Sequence, residues 1–156
     1  MKRILFVCTG NICRSPTAEA VARRRIEEAG LQALIEVDSA GTHGYHVGEP
    51  PDPRTRKAAA RRGYRLDDLL ARRLEIADFQ RFDLLLAMDR GHYETMLRMS
   101  PPVYRQKVDL FMRYARNFDC DEVPDPYYGG ESGFEAVLDM CEDAVAGLFE
   151  ALALAR

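Results

Sequence analysis

The sequence lacks several features that identify large classes of protein. It contains no tryptophan, and none of its apolar runs approaches the roughly 20 residues with which a helix spans a bilayer. It carries no Gly-x-x-x-x-Gly-Lys-Ser/Thr motif, which excludes nucleotide hydrolysis through that kind of loop. The net charge of −3 offers no positive surface for nucleic acid. We therefore expect a protein that binds neither membrane nor nucleic acid.

Histidine is also scarce, with three residues in the whole chain. His43 and His46 form a weak pair in a glycine-rich segment, and His92 lies far from both along the sequence. This spacing is not typical of a metal site. We expect no metal ligands and no other cofactor.

The few cysteines are not spaced as a disulfide scaffold, and a chain of 156 residues does not need one. They are Cys8, Cys13, Cys120 and Cys141. Free thiols indicate a reducing compartment, and the apolar run after Met1 is too short for the hydrophobic region of a signal peptide. We expect a cytoplasmic protein whose residues 1–156 form one domain.

Four short apolar segments predict the strands of a sheet. Residues 4–7 and 84–88 are continuously apolar, as in strands that are buried on both faces. Residues 34–38 and 108–111 alternate between apolar and polar, as edge strands do. The intervening segments are long enough for helical crossovers, so the strands should run parallel. The predicted fold is α/β, a doubly wound sheet of four parallel strands in the order 2-1-3-4, flanked by helices.

Helical periodicity predicts five helices between and after these strands. Ser15 can cap the first helix, with Pro16 at its first position and Glu19 complementing the helix dipole. The others cover residues 53–62, 76–82, 89–99 and 134–152. Clustered arginines in helical patterns predict solvated helix faces rather than a binding patch. These clusters are Arg23-Arg24-Arg25, Arg61-Arg62 and Arg72-Arg73.

Residues 8–15, which we call the cysteine loop, join the first predicted strand to the first predicted helix. Cys8 ends the strand and Arg14 begins the helix, so the loop between them can turn its backbone N–H groups around a tetrahedral anion. Gly10 and Asn11 tolerate the left-handed backbone that such a loop demands. The helix N-terminus and the Arg14 guanidinium both favour a thiolate at Cys8. The loop therefore predicts phosphoryl transfer through a cysteine.

The remaining loop residues have supporting parts in this interpretation. Arg14 presents a planar fork to two phosphate oxygens, and Ser15 can donate a hydrogen bond to the thiolate. Cys13 either packs under the loop or forms a reversible disulfide with Cys8 that protects the nucleophile from over-oxidation. The residues predicted to surround the phosphate are Thr9, Gly10, Asn11, Ile12, Cys13 and Ser15.

Cleavage of a phosphate ester also requires an acid that protonates the departing oxygen. The aspartates that qualify by position are Asp38, Asp52, Asp89 and Asp125. We favour Asp125, because prolines on both sides hold its backbone and two tyrosines follow it. The rings of Tyr127 and Tyr128 would wall a slot for an aryl leaving group. Asp89 is expected to support the loops by hydrogen bonding.

Three motifs occur in order along the chain: Cys8-Thr-Gly-Asn-Ile-Cys-Arg-Ser-Pro16, Asp38-Ser-Ala-Gly41 and Asp125-Pro-Tyr-Tyr-Gly129. Together they resemble the low-molecular-weight protein tyrosine phosphatases over nearly the whole chain. The resemblance implies a flavodoxin-like fold, Cys8 as a nucleophile that forms a phosphocysteine, and Arg14 as the phosphate-binding group. It implies Asp125 as the acid and then the base, and Asn11 and Ser15 as loop supports. The implied slot walls are Tyr45, Tyr127 and Tyr128.

Two residues depart from the family pattern. Tyr45 stands where some members carry tryptophan, and Leu69 stands where many carry histidine. The second departure implies that one support of the cysteine loop is absent or supplied differently. The substrate implied is a phosphotyrosine-containing protein, for which a tyrosine kinase is a candidate, and the implied state is a monomer.

Relatives on the same scaffold perform other reactions. Arsenate reductases of this kind relay a disulfide through further mid-chain cysteines, and this chain has none between Cys13 and Cys120. Protein-arginine phosphatases tend to carry threonine at the position of Ile12, whereas an apolar Ile12 favours an aryl ring. A non-catalytic phosphate-binding module remains a further alternative, which the presence of both Cys8 and Asp125 disfavours. We therefore predict a metal-independent phosphatase for phosphotyrosine.

Overall fold

The computed structural model of the protein describes residues 1–127 and 129–152, with a four-stranded parallel sheet at its centre. The strands lie in the order β2-β1-β3-β4, which confirms the predicted sheet and its order. Each pair of neighbours runs parallel. The bounds are β1 (Lys2–Cys8), β2 (Ile35–Gly41), β3 (Leu84–Ala87) and β4 (Val108–Leu110). The continuously apolar strands β1 and β3 are central because helices cover both of their faces.

Helices connect the strands in the alternating pattern that a parallel sheet requires. The α-helices in the described part of the chain are α1 (Arg14–Ala29), α2 (Pro53–Ala60), α3 (Ile76–Arg81), α4 (Arg90–Met99) and α5 (Glu131–Ala151). Two short 3₁₀ helices, Pro102–Lys107 and Phe111–Tyr114, were not predicted from the sequence. The second removes Phe111 from the predicted fourth strand. None of the described helices combines the length and the apolar character needed to cross a bilayer.

The side chains of β1 alternate between two apolar clusters, one on each face of the sheet. Ile4 and Phe6 point into the larger cluster with residues of α1 and α5, and Phe6 meets Phe111 edge-on at 5.3 Å between ring centroids. Leu5 and Val7 point into the smaller cluster with residues of α3 and α4. Both clusters therefore fix β1, and with it the position at which Cys8 leaves the sheet.

The start of α1 differs from the prediction. Cys13 occupies the cap position and Arg14 is the first helical residue, so Ser15 lies inside the first turn and does not cap the helix. Glu19 lies beyond the first turn and is buried, with its carboxylate turned toward Ser39. The prediction that Glu19 complements the dipole is wrong, because this side chain serves a buried contact between α1 and β2.

The prediction that the arginine clusters form solvated helix faces is wrong for two of them. Arg62, just beyond α2, pairs with three carboxylates of α5 and so joins these two helices. Arg72 and Arg73 belong to no helix, since the segment around Arg73 forms an isolated bridge with Gly41 at the end of β2. The Arg72 guanidinium is half-buried and pairs with Asp38 and Asp78. The side-chain positions of Arg62 and Arg72 therefore depend on carboxylates from other elements, which helical periodicity does not predict.

Helix α5 packs unusually close to the second 3₁₀ helix at Gly147. A Cβ atom built on Gly147 would lie 1.8 Å from the carbonyl oxygen of Tyr114. Gly133, near the start of the same helix, has its nearest neighbour at 3.5 Å, which is an ordinary contact distance. The two glycines therefore provide a matched pair in one helix.

We expect Gly147→Ala to lower the free energy of unfolding by about 1–3 kcal/mol, because the added methyl group forces α5 away from the chain beneath it. Gly133→Ala should be neutral or slightly stabilising, since alanine favours the helical backbone. Urea unfolding of both variants measures the difference. Equal stabilities would contradict the close approach at Gly147.

Candidate active site

The cysteine loop begins at the carboxyl edge of the sheet, where Cys8 ends β1 and pairs with Gly41 at the end of β2. The loop is pressed against β2, because a Cβ atom on Gly41 would lie 2.6 Å from the carbonyl oxygen of Thr9. Asn11 adopts the left-handed backbone, with φ of 59°. Gly10 does not, and its lack of a side chain instead gives room to the His46 ring, which lies 2.9 Å from a Cβ built there.

A buried hydrogen-bond network fixes the loop and orients the Ser15 hydroxyl. The Asn11 amide donates to Ser15 Oγ at 2.8 Å and to Ser39 Oγ at 2.9 Å, which uses both of its hydrogens. Ser15 Oγ accepts one of these bonds and lies 3.0 Å from Cys8 Sγ. Its own hydrogen can be donated to the sulfur at 3.0 Å or to the Ala40 carbonyl oxygen at 3.4 Å.

The same network extends away from the loop into the space between α1 and β2. The Ser39 hydroxyl donates to Glu19 Oε1 at 2.6 Å, and the Glu19 carboxylate also pairs with Arg23. Burial raises the pKa of Glu19, although the contacts with Ser39 and Arg23 oppose this effect. The chain of contacts links the Glu19 carboxylate on α1 to the Cys8 sulfur.

The backbone of Arg72 makes a further contact with the cysteine loop. The Arg72 N–H donates to Asn11 Oδ1 at 2.9 Å. Leu69 itself packs against the larger apolar cluster. The remaining acceptor of Asn11 is thus satisfied by the main chain rather than by a side chain.

Arg14 is held rigidly beneath the loop. Its Nη1 donates to Asp89 Oδ2 at 2.9 Å and to the Val123 carbonyl oxygen at 3.0 Å, and the residue is 3% exposed. Its Nη2 lies 3.4 Å from Thr9 Oγ1 and 3.8 Å from Asp125 Oδ2. The hydrogen bond to Asp89 agrees with the prediction that this residue supports the loops by hydrogen bonding. The half-buried Asp89 carboxylate and the buried Val123 carbonyl group therefore fix the orientation of the guanidinium.

Sequence reasoning missed the contribution of His92. This residue is buried on α4, with Nε2 2.7 Å from Thr9 Oγ1 and Nδ1 3.1 Å from Asp89 Oδ1. Burial and the charge of Arg14 lower the pKa of His92 to about 4, so the ring is neutral at neutral pH. Burial raises the pKa of Asp89, but the hydrogen bond from the His92 backbone N–H and the contact with Arg14 outweigh this effect, so the net shift of the pKa is downward. The available signal was the Asp-x-x-His spacing at a helix start.

The cysteine loop opens into a cavity of about 220 Å³ at the carboxyl edge of the sheet. Asp125 contributes its carboxylate there, and its Oδ1 accepts a hydrogen bond from the Tyr127 N–H at 3.0 Å. The cavity is lined by Cys8, Thr9, Gly10, Ile12, Cys13, Arg14, Tyr45, His46, Asp125 and Tyr127. Asn11 and Ser15 are buried and stand behind this lining. Tyr128 lies outside the described residues.

The other three aspartates are engaged elsewhere. Asp38 pairs with Arg72, Asp52 caps α2 and binds Arg54, and Asp89 caps α4. Of the four, Asp125 alone lines the cavity, with a side chain that is partly exposed. The structure thus brings together a thiol and a guanidinium from the cysteine loop and one carboxyl group from the distant segment that contains Asp125.

Cysteine oxidation and metal binding are two other reactions that a site of this composition could support. Cys13 is buried, which raises its pKa to about 12, so its thiol stays protonated at neutral pH. The reversible Cys8–Cys13 disulfide stays a prediction. Across residues 1–127 and 129–152, no three side chains of histidine, cysteine, aspartate or glutamate gather as a metal site would require.

Comparison with known proteins gives consistent matches. The family model described as low molecular weight phosphotyrosine protein phosphatase matches residues 3–156. A putative low molecular weight protein-tyrosine-phosphatase of Synechocystis, slr0328, is 48% identical over 96% of both chains. The human low molecular weight phosphotyrosine protein phosphatase is 39% identical over 90% of this chain and 89% of its own.

Solved structures agree with the sequence matches. A protein tyrosine phosphatase from Entamoeba histolytica superposes with a TM-score of 0.95, at 43% identity, over 98% of this chain and 97% of that chain. YfkJ from Bacillus subtilis superposes with a TM-score of 0.92, at 35% identity, over 98% and 95% of the two chains. The matched range of residues 3–156 includes the sheet, the cysteine loop and Asp125, and the chain belongs to the low molecular weight phosphotyrosine protein phosphatase family.

Proposed function

We propose that this protein hydrolyses phosphotyrosine in proteins through a phosphocysteine intermediate. One observation carries the proposal: Cys8, Arg14 and Asp125 line one cavity together with the loop that leads into the start of α1. A buried guanidinium and converging N–H groups bind a phosphate dianion, and a thiol beneath them can attack it. Family membership supports the same reaction.

In the first step, the Cys8 thiolate attacks phosphorus in line with the aryl oxygen. An S–P bond forms, the P–O bond to the aryl group breaks, and the departing oxygen takes the proton of Asp125. The loop N–H groups and Arg14 stabilise the three equatorial oxygens of the transition state. The fixed contacts of Arg14 with Asp89 and Val123 support this assignment, because they preset its direction.

In the second step, the Asp125 carboxylate takes a proton from water as the water attacks the phosphocysteine. The S–P bond breaks, inorganic phosphate forms, and the electron pair returns to the Cys8 sulfur. The Ser15 hydroxyl, 3.0 Å from that sulfur, stabilises the thiolate as it leaves. The same carboxyl group thus acts as acid and then as base.

The walls of the cavity favour an aryl substrate. Tyr45 and Tyr127 line its sides, and Ile12 presents an apolar surface near the phosphate position. We assign Tyr128 to the same slot by its place in the motif. Aromatic walls stack on a phenyl ring, whereas a guanidinium substrate would need a polar partner that Ile12 does not offer.

The biological setting follows from the same features. The substrate is a phosphotyrosine-containing protein, with a tyrosine kinase as a candidate. The four cysteines are free thiols, which supports a cytoplasmic location. Large exposed apolar residues such as Leu34, Ile76 and Val103 lie in separate segments of the chain, which supports a monomer. Residues 1–156 form one domain in this proposal, because both apolar clusters share strand β1.

Replacement of the nucleophile tests the intermediate. Cys8→Ser should abolish turnover, because a hydroxyl group at this position is not ionised at neutral pH, while inorganic phosphate should still bind to the intact loop. Acid-quenched wild-type protein should carry a phosphate on Cys8 by mass spectrometry. Cys120→Ser, at an exposed thiol outside the cavity, serves as the control and should keep full activity. Phosphate trapped on another residue would contradict the mechanism.

Replacement of the acid tests the assignment of Asp125. Asp125→Ala should lower kcat by roughly 10²- to 10⁴-fold on phenyl phosphate, whose leaving oxygen needs a proton. The loss should be far smaller on p-nitrophenyl phosphate, because p-nitrophenolate leaves without protonation. Asp121→Asn is a matched control from the same segment, since Asp121 pairs with Arg90 outside the cavity. Equal losses on the two substrates would exclude Asp125 as the acid.

Substrate preference tests the phosphotyrosine assignment against the protein-arginine phosphatase alternative. Peptides of one sequence that carry either phosphotyrosine or phosphoarginine should differ in kcat/KM, with phosphotyrosine preferred. Ile12→Thr should narrow this preference, because it replaces an apolar contact with a hydroxyl group. A preference of the wild-type protein for phosphoarginine would reverse the assignment.

A further inference from the structure

Tyr45 presents an unusual combination of exposure and fixed position. The residue lines the cavity, yet it is 73% exposed and lies in the glycine-rich loop after β2. A tyrosine with so few neighbours would ordinarily populate several rotamers. The His43 ring restricts it, because the two rings stack with centroids 5.1 Å apart and an angle of 11° between their planes.

His43 is itself tied to the cysteine loop. Its Nδ1 lies 2.9 Å from Thr42 Oγ1, which limits rotation of the imidazole. Its backbone N–H donates to the Thr9 carbonyl oxygen at 3.0 Å, and the Thr42 N–H donates to the Cys8 carbonyl oxygen at 2.9 Å. Two backbone hydrogen bonds from consecutive residues therefore fix the position of His43 beside the cysteine loop.

Tyr127, the other tyrosine that lines the cavity, also packs against a planar side chain. The Arg54 guanidinium lies over the Tyr127 ring, 5.2 Å from its centroid, and also binds Asp52 through two hydrogen bonds. The Asp52 N–H in turn donates to the Ile12 carbonyl oxygen at 2.9 Å. The His43 imidazole thus packs on one tyrosine and the Arg54 guanidinium on the other. Each is linked to the backbone of the cysteine loop, His43 directly and Arg54 through Asp52.

We propose that His43 is a positioning residue: it holds the Tyr45 ring where that ring can stack on the aryl leaving group of the substrate. The proposal rests on the proposed function and deepens it, since it concerns how the aryl part of the substrate is recognised. His43 is not among the residues that line the cavity, whereas Tyr45 is. Its removal should therefore weaken binding of the ring and leave binding of the phosphate group unchanged.

The test compares His43→Ala with His43→Phe. His43→Ala should raise KM for a phosphotyrosine peptide roughly three- to tenfold, the range expected when one aromatic stacking contact is lost. The inhibition constant of inorganic phosphate and kcat should change by less than about twofold, because the loop N–H groups and Arg14 still hold the phosphate. His43→Phe restores a stacking ring and should return KM to the wild-type range. Val47→Ala, at an exposed position of the same loop, is the control.

A double substitution separates positioning from a general effect on the loop. In a Tyr45→Ala background, His43→Ala should raise KM no further, because the ring that it orients is gone. A further rise there, or a parallel loss of inorganic phosphate binding, would overturn the proposal, as would failure of His43→Phe to restore KM. A wild-type protein that does not hydrolyse the peptide would instead refute the proposed function itself.

Discussion

The site depends on the buried amide of Asn11. Its side chain makes three hydrogen bonds, to Ser15, to Ser39 and from the Arg72 N–H, while its backbone takes the left-handed conformation. Buried polar groups are costly when any partner is missing, so the turn, the helix start and the segment around Arg72 have to form together. Because Ser15 Oγ accepts from Asn11 in this arrangement, its hydrogen can be donated to the Cys8 sulfur, which lies 3.0 Å away.

A second constraint is the burial of positive charge. An arginine that is almost fully buried requires compensation, and Asp89 provides it at 2.9 Å. The neutral ring of His92 adds no competing charge and holds Thr9 in place. On the side that faces the cavity, Arg14 Nη2 has Thr9 Oγ1 at 3.4 Å and Asp125 Oδ2 at 3.8 Å, and a dianion can approach the guanidinium there. The contacts with Asp89 and Val123 fix the orientation of the Arg14 guanidinium, so the site is preorganised before a ligand binds.

The sequence was sufficient for the strand order and the main cavity residues, because both depend on local patterns. Continuous apolar runs identified β1 and β3 as central, and the spacing from Cys8 to Arg14 identified the loop. The errors and omissions concern residues whose partners are distant. Ser15 could be mistaken for a cap because its contact with Cys8 is tertiary. Glu19, Arg72 and His92 carry charge or polarity that only the folded chain pairs, and helical periodicity treats such residues as solvent-exposed.

The bridge between Gly41 and Arg73 has a consequence for the edge of the sheet. Gly41 already donates its N–H to the Arg72 carbonyl oxygen and accepts from the Leu74 N–H. A foreign strand therefore cannot extend the sheet at this end of β2 by backbone pairing, although β2 lies at the margin of the sheet. The mouth of the cavity is protected from β-augmentation and from edge-to-edge aggregation by a segment of its own chain.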